Sequence, residues 1–188
     1  MTLKYEVKFF DYWHLSSGLS AGSKLDSSVV KDKDGLPYIP GKTIKGLVRE
    51  MAAEEFDCDF IDRCFGTTTD KKDDCYKIEK EHKQGECYFP NANINRDAAE
   101  QITTNKLQDN LYDIITSTKI AENGVAEDKS LRDIEVVIPI SLYGEITGNV
   151  SDEDKKKMIK SLKMIKRMGL NRNRGLGRCS FMITEEVS

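Results

Sequence analysis

The order of strand and helix patterns in this sequence predicts an α+β fold. Apolar residues alternate with polar ones from Leu3 to Phe9, which is the period of a half-buried strand. Helical stripes of apolar residues occupy about Lys42–Glu54 and Asp152–Arg167, and a last strand pattern runs from Arg178 to Thr184. With further strands between the helices, this is the order of a ferredoxin-like, or RRM-like, sandwich. We expect a single domain over residues 1–188, a length that allows a substantial core.

Both helices have recognisable ends. The first follows Gly35-Leu-Pro-Tyr-Ile-Pro-Gly41, whose two prolines prevent an earlier helical start. Ser151 is the expected cap of the second helix, and Gly169 lies where its end is expected. The predicted buried residues of the two helices are Ile44, Leu47, Val48 and Met51, and Met158, Leu162 and Ile165.

The region between the helices holds strands and two irregular segments. The strongest strand pattern runs from Ile134 to Ile146 and is interrupted by Pro139, and a weaker one occupies Cys87–Ile94. Residues 57–87 are acidic and without clear period, so we expect a long insertion there. Residues 116–132 are expected to protrude as a hairpin.

Composition indicates a soluble protein, with 38% hydrophobic and 32% charged residues. No apolar run approaches the roughly 20 residues that span a bilayer. The first residues also lack the apolar core of a signal peptide. We therefore expect a cytoplasmic protein with no membrane partner, whose five cysteines are reduced and serve as core residues or metal ligands.

A zinc site is the metal-ligand interpretation of the cysteines in the insertion. The candidate ligands are Cys58, Cys64, Cys75 and Cys87, with His82 nearby. Their spacing contains no Cys-x-x-Cys knuckle, so zinc is the weaker interpretation. Cys64 also precedes Phe65 at a position typical of a core side chain, and Cys179 is expected to be buried at the start of a strand.

Charge is unevenly distributed, although the formal net charge is only −3. Residues 155–178 contain ten Lys or Arg and no Asp or Glu, whereas residues 50–87 contain twelve acids and six bases. The basic run indicates an anionic ligand that carries phosphate. The alternative is a solvated helix face followed by a turn.

The first helix presents one basic face. Lys42, Lys45 and Arg49 fall at positions i, i+3 and i+7, so they share a side of the helix beside the apolar stripe. Such a face can neutralise backbone phosphates without reading bases.

The loop Gly169-Leu-Asn-Arg-Asn-Arg-Gly-Leu-Gly177 adds a second basic group. Arg172 and Arg174 can contact phosphate, and Gly175 and Gly177 would let backbone N–H groups approach it closely. We expect this loop and the helix face to line one groove that binds an RNA backbone. A plain turn is the alternative interpretation of the glycines.

Two motifs occur together in this order: Leu25-Asp-Ser-Ser-Val-Val-Lys-Asp-Lys-Asp-Gly-Leu-Pro-Tyr-Ile-Pro-Gly-Lys-Thr-Ile-Lys-Gly-Leu-Val-Arg49 and Asn171-Arg-Asn-Arg-Gly-Leu-Gly-Arg178. On a ferredoxin-like pattern, the pair resembles the RAMP superfamily of CRISPR-associated proteins. The closer resemblance is to the small, repeated backbone subunit of type III effector complexes. It covers roughly residues 3–55 and 115–184, and the middle insertion does not match.

The resemblance implies a function. Such a subunit binds a guide RNA, stacks head-to-tail on neighbouring copies or paralogous RAMP subunits, and cuts complementary target RNA. Asp26 matches the family's cleaving aspartate, which acts with a divalent metal, Mg²⁺, and leaves a cyclic phosphate after attack by the 2′-hydroxyl. In the sequence, Asp26 lies in a Ser- and Gly-rich loop and has no evident structural partner. Residues 116–132 would form the thumb that wedges between guide and target.

The sequence supports one more candidate site residue, His14, and two alternative functions. The family often has a histidine near this position in the RNA groove, so His14 is a candidate RNA contact by stacking or hydrogen bonding. A purely structural RNA-binding subunit, with the same groove but no cleavage, is the main alternative function. A standalone guide-processing endoribonuclease with His14 as base is the third, although such enzymes usually contain two such domains.

Overall fold

The computed structural model of the chain describes residues 1–18, 25–68, 70–71, 73–76, 83–121, 124–127 and 130–187. The strands are β1 (Thr2–Phe9), β2 (Cys87–Tyr88), β3 (Tyr112–Ser117), β4 (Arg132–Val137), β5 (Ser141–Gly148) and β6 (Cys179–Val187). The helices are α1 (Gly41–Ala53), α2 (Cys58–Phe65), α3 (Arg96–Thr104) and α4 (Asp152–Met164), and a 3-10 turn occupies Gln108–Leu111. The predicted α+β class is confirmed.

The main sheet has four strands in the order β2–β5–β1–β6, and each neighbouring pair is antiparallel. The first strand lies between β5 and β6, with Val7 opposite Leu142 on one side and Phe181 on the other. Because all three side chains are buried, the alternation predicted for β1 defines the core face of the sheet.

The core fills the space between this sheet face and the helices. Ile44 and Val48 of α1 are fully buried with Met158 and Leu162 of α4, as their spacing predicts. The cap of α4 is also as predicted, since the N–H of Asp154 donates to Ser151 Oγ at 3.1 Å. The helix itself ends at Met164, three residues earlier than the pattern indicates.

In the described part of the chain, a second sheet consists of β3 and β4, paired as an antiparallel hairpin. The single strand expected at Ile134–Ile146 is therefore two strands in different sheets, divided at Pro139. Proline has no N–H for a ladder, so the chain leaves one sheet there and enters the other. The connection between β3 and β4 contains the bridge of Ile120 with Ala126, while residues 122–123 and 128–129 lie outside the described part.

The insertion contains a helix that the sequence pattern does not reveal. The side chain of Asp57 accepts a hydrogen bond from the N–H of Phe60 at 2.9 Å and so caps α2. The buried residues of α2 are Phe60, Ile61, Cys64 and Phe65. This helix has only eight residues, too few for its period to be distinguished from an irregular apolar run.

The expectation of reduced cysteines is wrong for one pair, because Cys58 and Cys75 form a disulfide. These two residues are therefore not thiolate ligands for zinc. The remaining cysteines, Cys64, Cys87 and Cys179, are free and buried as core residues, and burial raises the pKa of the Cys179 thiol to about 12. The other zinc candidate, His82, lies outside the described residues.

No helix in the described part of the chain is long and apolar enough to cross a membrane.

Candidate functional site

The segment that carries Asp26 runs along the outer edge of β4. The N–H of Asp26 donates to the carbonyl oxygen of Asp133 at 2.9 Å, and the N–H of Asp133 donates to Asp26 Oδ2 at 2.8 Å. One residue further, the N–H of Glu135 donates to the carbonyl oxygen of Ser27 at 3.1 Å. The expectation that Asp26 lacks a structural partner is therefore wrong, since it is fixed to β4 at the loop end of the β3–β4 ladder.

The carboxylate of Asp26 is nevertheless exposed. Among the described residues, Oδ2 accepts a hydrogen bond and Oδ1 accepts none, so Oδ1 keeps its capacity to take a ligand. The carboxylate of Asp133 belongs to the same loop end of the β3–β4 ladder, where its Oδ1 accepts from Thr116 Oγ1 at 2.6 Å. The sequence gives no sign of this second acid, because it lies 107 residues from Asp26.

Asp32, which is close to Asp26 in sequence, has a different role. Its Oδ1 accepts the N–H groups of Asp34 and Leu36, both at 2.9 Å. This closes a turn of the Asx type that leads into the proline segment.

His14 is fully buried, and both of its ring nitrogens have partners. Nδ1 lies 2.5 Å from the carbonyl oxygen of Glu135, and Nε2 lies 3.0 Å from Ser27 Oγ. A carbonyl oxygen can only accept, so Nδ1 donates to Glu135, while Nε2 and the hydroxyl of Ser27 share a second hydrogen bond. The predicted contact of the ring with RNA does not fit this geometry, because no ring surface is exposed for stacking.

The backbone of His14 connects the same segment to the glycine-rich loop. Its carbonyl oxygen accepts the N–H of Leu170 at 2.9 Å, and the carbonyl oxygen of Tyr12 accepts the N–H of Gly177 at 2.8 Å. Trp13 between them is fully buried and stacks on Phe9 with ring centroids 4.4 Å apart. Residues 12–14 therefore join the loop, the core and the Asp26 segment.

Glu135 completes the support of the Asp26 segment. Its Oε2 accepts the N–H of Val29 at 3.0 Å, and its Oε1 lies 2.8 Å from Lys31 Nζ. The same Lys31 ammonium lies 3.8 Å from the ring centroid of Tyr112 on β3, a cation–π contact. Both strands of the hairpin thus hold the segment, through side chains that sequence patterns do not identify.

The basic face of α1 faces the insertion. Lys42 and Lys45 line a shallow cavity of about 160 Å³ with Gln84 and Tyr88. Within the described residues, neither lysine forms an ion pair. Arg49, by contrast, forms an ion pair between its Nη1 and Asp73 Oδ2 of the insertion.

The glycines of the loop have different environments. Gly177 has φ +70° and is buried so closely that a Cβ atom there would lie 1.9 Å from the carbonyl oxygen of Met168. Its lack of a side chain is therefore explained by packing, and the predicted approach of phosphate to Gly177 does not fit. Gly175 has φ +91° and faces open space, so its backbone is accessible. Arg174 beside it is exposed.

The helix face and the loop do not line one groove, contrary to the expectation from the sequence. Arg172 approaches Glu50 at 3.4 Å and shares a cleft with Leu47 and Met51. Leu47 and Met51 lie on another side of α1 from Lys42, which faces the insertion. The two basic groups are therefore separate surfaces.

Part of the basic run is neutralised within the molecule. Lys157 approaches Asp57 at 3.4 Å, and Lys160 approaches Glu55 at 2.5 Å. These pairs connect α4 to the acidic segment between α1 and α2. Exposed pairs of this kind contribute little to stability, but they reduce the local charge available to a ligand.

Comparison with known proteins places this arrangement in a family. The family model described as the RAMP superfamily matches residues 7–180, from β1 to β6. This chain belongs to the RAMP superfamily. A search of curated proteins finds no match.

Two solved structures share the fold of this RAMP protein at low sequence identity. One is a chain of the type III-B Cmr-β complex bound to cognate target RNA, studied by cryo-EM, with TM-score 0.73, 12% identity and 97% of each chain covered. The other is a chain of the apo state of Cmr-β, with TM-score 0.72, 12% identity, and 100% of this chain and 99% of that chain covered. The similarity extends over the whole chain.

Proposed function

We propose that this RAMP protein is a guide-RNA-binding backbone subunit of a type III CRISPR ribonucleoprotein and cleaves complementary target RNA. One observation carries the proposal: Asp26 presents an exposed carboxylate from a segment that is hydrogen-bonded to β4 at the loop end of the β3–β4 ladder. Membership of the RAMP superfamily and likeness to a chain of a complex bound to target RNA support the same function.

The topology supports a ferredoxin-like interpretation of the fold. Counting only the main sheet, β1, β2, β5 and β6 are its first to fourth strands in chain order. Their spatial order is then fourth, first, third and second, with all neighbours antiparallel. In this interpretation the β3–β4 hairpin is an addition between the second and third strands, and we assign residues 116–132 to the thumb.

The Asp26 carboxylate is suited to a transesterification in which the 2′-hydroxyl of the target attacks the adjacent phosphate. A carboxylate within hydrogen-bond reach can orient that hydroxyl and accept its proton. Hydrogen bonding by the Asp133 N–H leaves Oδ1 for this task and fixes the direction in which it points. The products would be a cyclic phosphate and a free 5′-hydroxyl.

The residues present also fit Mg²⁺ as a cofactor. Mg²⁺ is usually held by one or two carboxylates together with substrate phosphates and water. Asp26 supplies an exposed carboxylate oxygen, with Asp133 as the neighbouring acid, and no cluster of three or more ligand side chains occurs among the described residues. The ion would supply charge neutralisation at the reacting phosphate, and Asp26 would hold it.

We assign the guide RNA contacts to Lys42, Lys45, Arg174 and Gly175. Among the residues predicted to bind RNA, these four are accessible and form no ion pair within the described part of the chain. Lysine and arginine at such positions contribute affinity by contacting phosphates, and this affinity does not depend on the RNA sequence. Neighbouring copies or paralogous RAMP subunits are the proposed protein partners, stacked head-to-tail along the guide.

The test is cleavage by an assembled complex that contains this subunit. We expect target RNA complementary to the guide to be cut in the presence of Mg²⁺, and EDTA to prevent cutting. A single 2′-deoxynucleotide at the scissile position should also prevent cutting, because the attacking hydroxyl is then missing. Cutting of the deoxy-substituted target at an equal rate would contradict the proposed chemistry.

A non-catalytic structural subunit is the second candidate. The observation that favours it is that the Asp26 carboxylate already accepts the N–H of Asp133, which is a sufficient structural role for a loop aspartate. An assembled complex that binds target RNA but leaves it intact would support this function.

A further inference from the structure

A chain of contacts connects the disulfide of the insertion to the basic face of α1. Cys75 is joined to Cys58, the first residue of α2. The N–H of Cys75 donates to Asp73 Oδ1 at 2.9 Å, and Asp73 Oδ2 receives Nη1 of Arg49. The covalent link thus positions the carboxylate that neutralises Arg49.

The disulfide at the start of these contacts is attached to the core of the protein through α2. Phe60 and Ile61, near Cys58 on α2, are buried in the core. Cys75 itself is 4% exposed, so the disulfide holds the segment around Asp73 against the body of the protein. Without the cross-link, the chain between residues separated by 17 positions would regain conformational freedom, which is the usual effect of opening such a loop.

Arg49 is incompletely satisfied by its partner. Its Nη2 is buried and has no hydrogen-bond partner among the described residues. A guanidinium binds a phosphate through two parallel N–H groups, whereas Asp73 receives only one of them. The Arg49 guanidinium also lowers the pKa of the Asp73 carboxyl, so the pair is charged at neutral pH.

We propose that the Cys58–Cys75 disulfide is a redox-sensitive latch that keeps Asp73 on Arg49 and so withholds Arg49 from RNA phosphate. In the oxidised protein, Lys42 and Lys45 are accessible while Arg49 is covered by the acidic segment. In the reduced protein, no covalent bond holds the segment around Asp73 in place, and a phosphate can displace Asp73 from Arg49. This inference rests on the proposed RNA-binding function of α1.

The redox step is thiol–disulfide exchange with a dithiol reductant. One thiolate of the dithiol attacks Sγ of Cys58, a half-buried residue, and the protein S–S bond breaks as Cys75 leaves as a thiolate and takes up a proton. The second thiol of the dithiol then attacks the mixed disulfide and releases Cys58 as a thiol. The protein gains two electrons and two protons, and the dithiol becomes a disulfide.

The experiment measures binding of the full chain to a fluorescent single-stranded RNA in oxidised and dithiothreitol-reduced forms. Thiol alkylation and mass spectrometry establish the state of Cys58 and Cys75 in each sample. We expect reduction to tighten binding by roughly two- to fivefold, the range of one additional ion pair at a protein surface. The slope of log K against log salt should steepen by about 0.7, as for one additional phosphate contact on a single strand.

Variants separate the latch from a general change in fold. Asp73→Asn keeps the disulfide and should give the same gain in oxidised protein. Asp74→Asn removes an equal charge at the next residue, which is exposed, and should not increase the RNA affinity. In Arg49→Gln protein, neither reduction nor Asp73→Asn should change the affinity. The double variant Cys58→Ser with Cys75→Ser should bind like reduced protein, whether or not dithiothreitol is present.

The outcomes distinguish this inference from the proposed function. Equal or weaker RNA binding after verified reduction, together with no gain in Asp73→Asn, would overturn the latch and leave RNA binding by this protein intact. Absence of RNA binding in both redox states would overturn the proposed RNA-binding role of α1 and the latch with it.

Discussion

Asp26 and Asp133 hydrogen-bond to each other twice, through the N–H of Asp26 at 2.9 Å and the N–H of Asp133 at 2.8 Å. The first bond joins backbone to backbone, and the second joins backbone to carboxylate. A candidate catalytic side chain on a long connection is thereby fixed to the second residue of strand β4. Its carboxylate keeps a constant position relative to the hairpin, which is what positioning a reacting hydroxyl requires.

His14→Ala should lower the free energy of unfolding by about 2–4 kcal/mol, because it opens a cavity, removes the partner of the Glu135 carbonyl oxygen and takes one hydrogen bond from the hydroxyl of Ser27. Denaturant unfolding followed by circular dichroism measures this. His14→Gln, which can still donate and accept, should lose less. Unchanged stability with loss of RNA binding would instead indicate that His14 contacts RNA directly.

Alanine substitutions at Gly175 and Gly177 should distinguish a glycine needed for packing from a glycine needed for RNA binding. Gly177→Ala places a methyl group against the carbonyl oxygen of Met168, so we expect a loss of more than about 3 kcal/mol in stability. Gly175→Ala meets no atom and should cost about 1–2 kcal/mol for its positive φ.

RNA binding by the Gly175→Ala protein should nevertheless weaken, because the added methyl group hinders close approach of phosphate. Both variants are compared by denaturant unfolding and by filter binding at a temperature where each is folded. Equal RNA binding by Gly175→Ala and the unaltered protein would show that this part of the loop is only a turn.

Lys42→Ala with Lys45→Ala should weaken RNA binding about equally for all sequences. The slope of log K against log salt should become shallower by about 0.7 for each phosphate of a single strand that a lysine no longer neutralises. The matched control is Lys160→Ala, since this lysine is already paired with Glu55. An effect that depended on base sequence would show that the α1 face reads bases.

Much of the fold follows from local patterns. The alternation in β1, the apolar stripe of α1 and the Ser151 cap all depend on residues within a turn or two of each other, so the sequence reveals them. The division at Pro139 is visible in the sequence as an interruption, but the transfer to a second sheet is not. That transfer depends on which strands pair, and pairing between distant strands leaves no local pattern.

The site is less predictable for the same reason. Asp26 and the basic residues can be selected by resemblance and charge, whereas Asp133 and Glu135 reach the site from more than 100 residues away. In the sequence His14 is a polar residue at a strand end, and only its two ring contacts explain its burial. Disulfide connectivity cannot be deduced from sequence, so the constraint on Arg49 is hidden as well.

The most direct test of the central claim compares cleavage and binding in assembled complexes that contain Asp26→Asn. The asparagine oxygen can still accept the N–H of Asp133, so the segment should keep its position while the negative charge is removed. Asp32→Asn is the matched control, because it alters a nearby aspartate that closes a turn. Cleavage on a denaturing gel and target binding on a filter are measured with the same preparations. We expect Asp26→Asn to slow cleavage by about a hundredfold or more with unchanged binding, and Asp32→Asn to change neither. Cleavage by the Asp26→Asn complex at the unaltered rate would contradict the account.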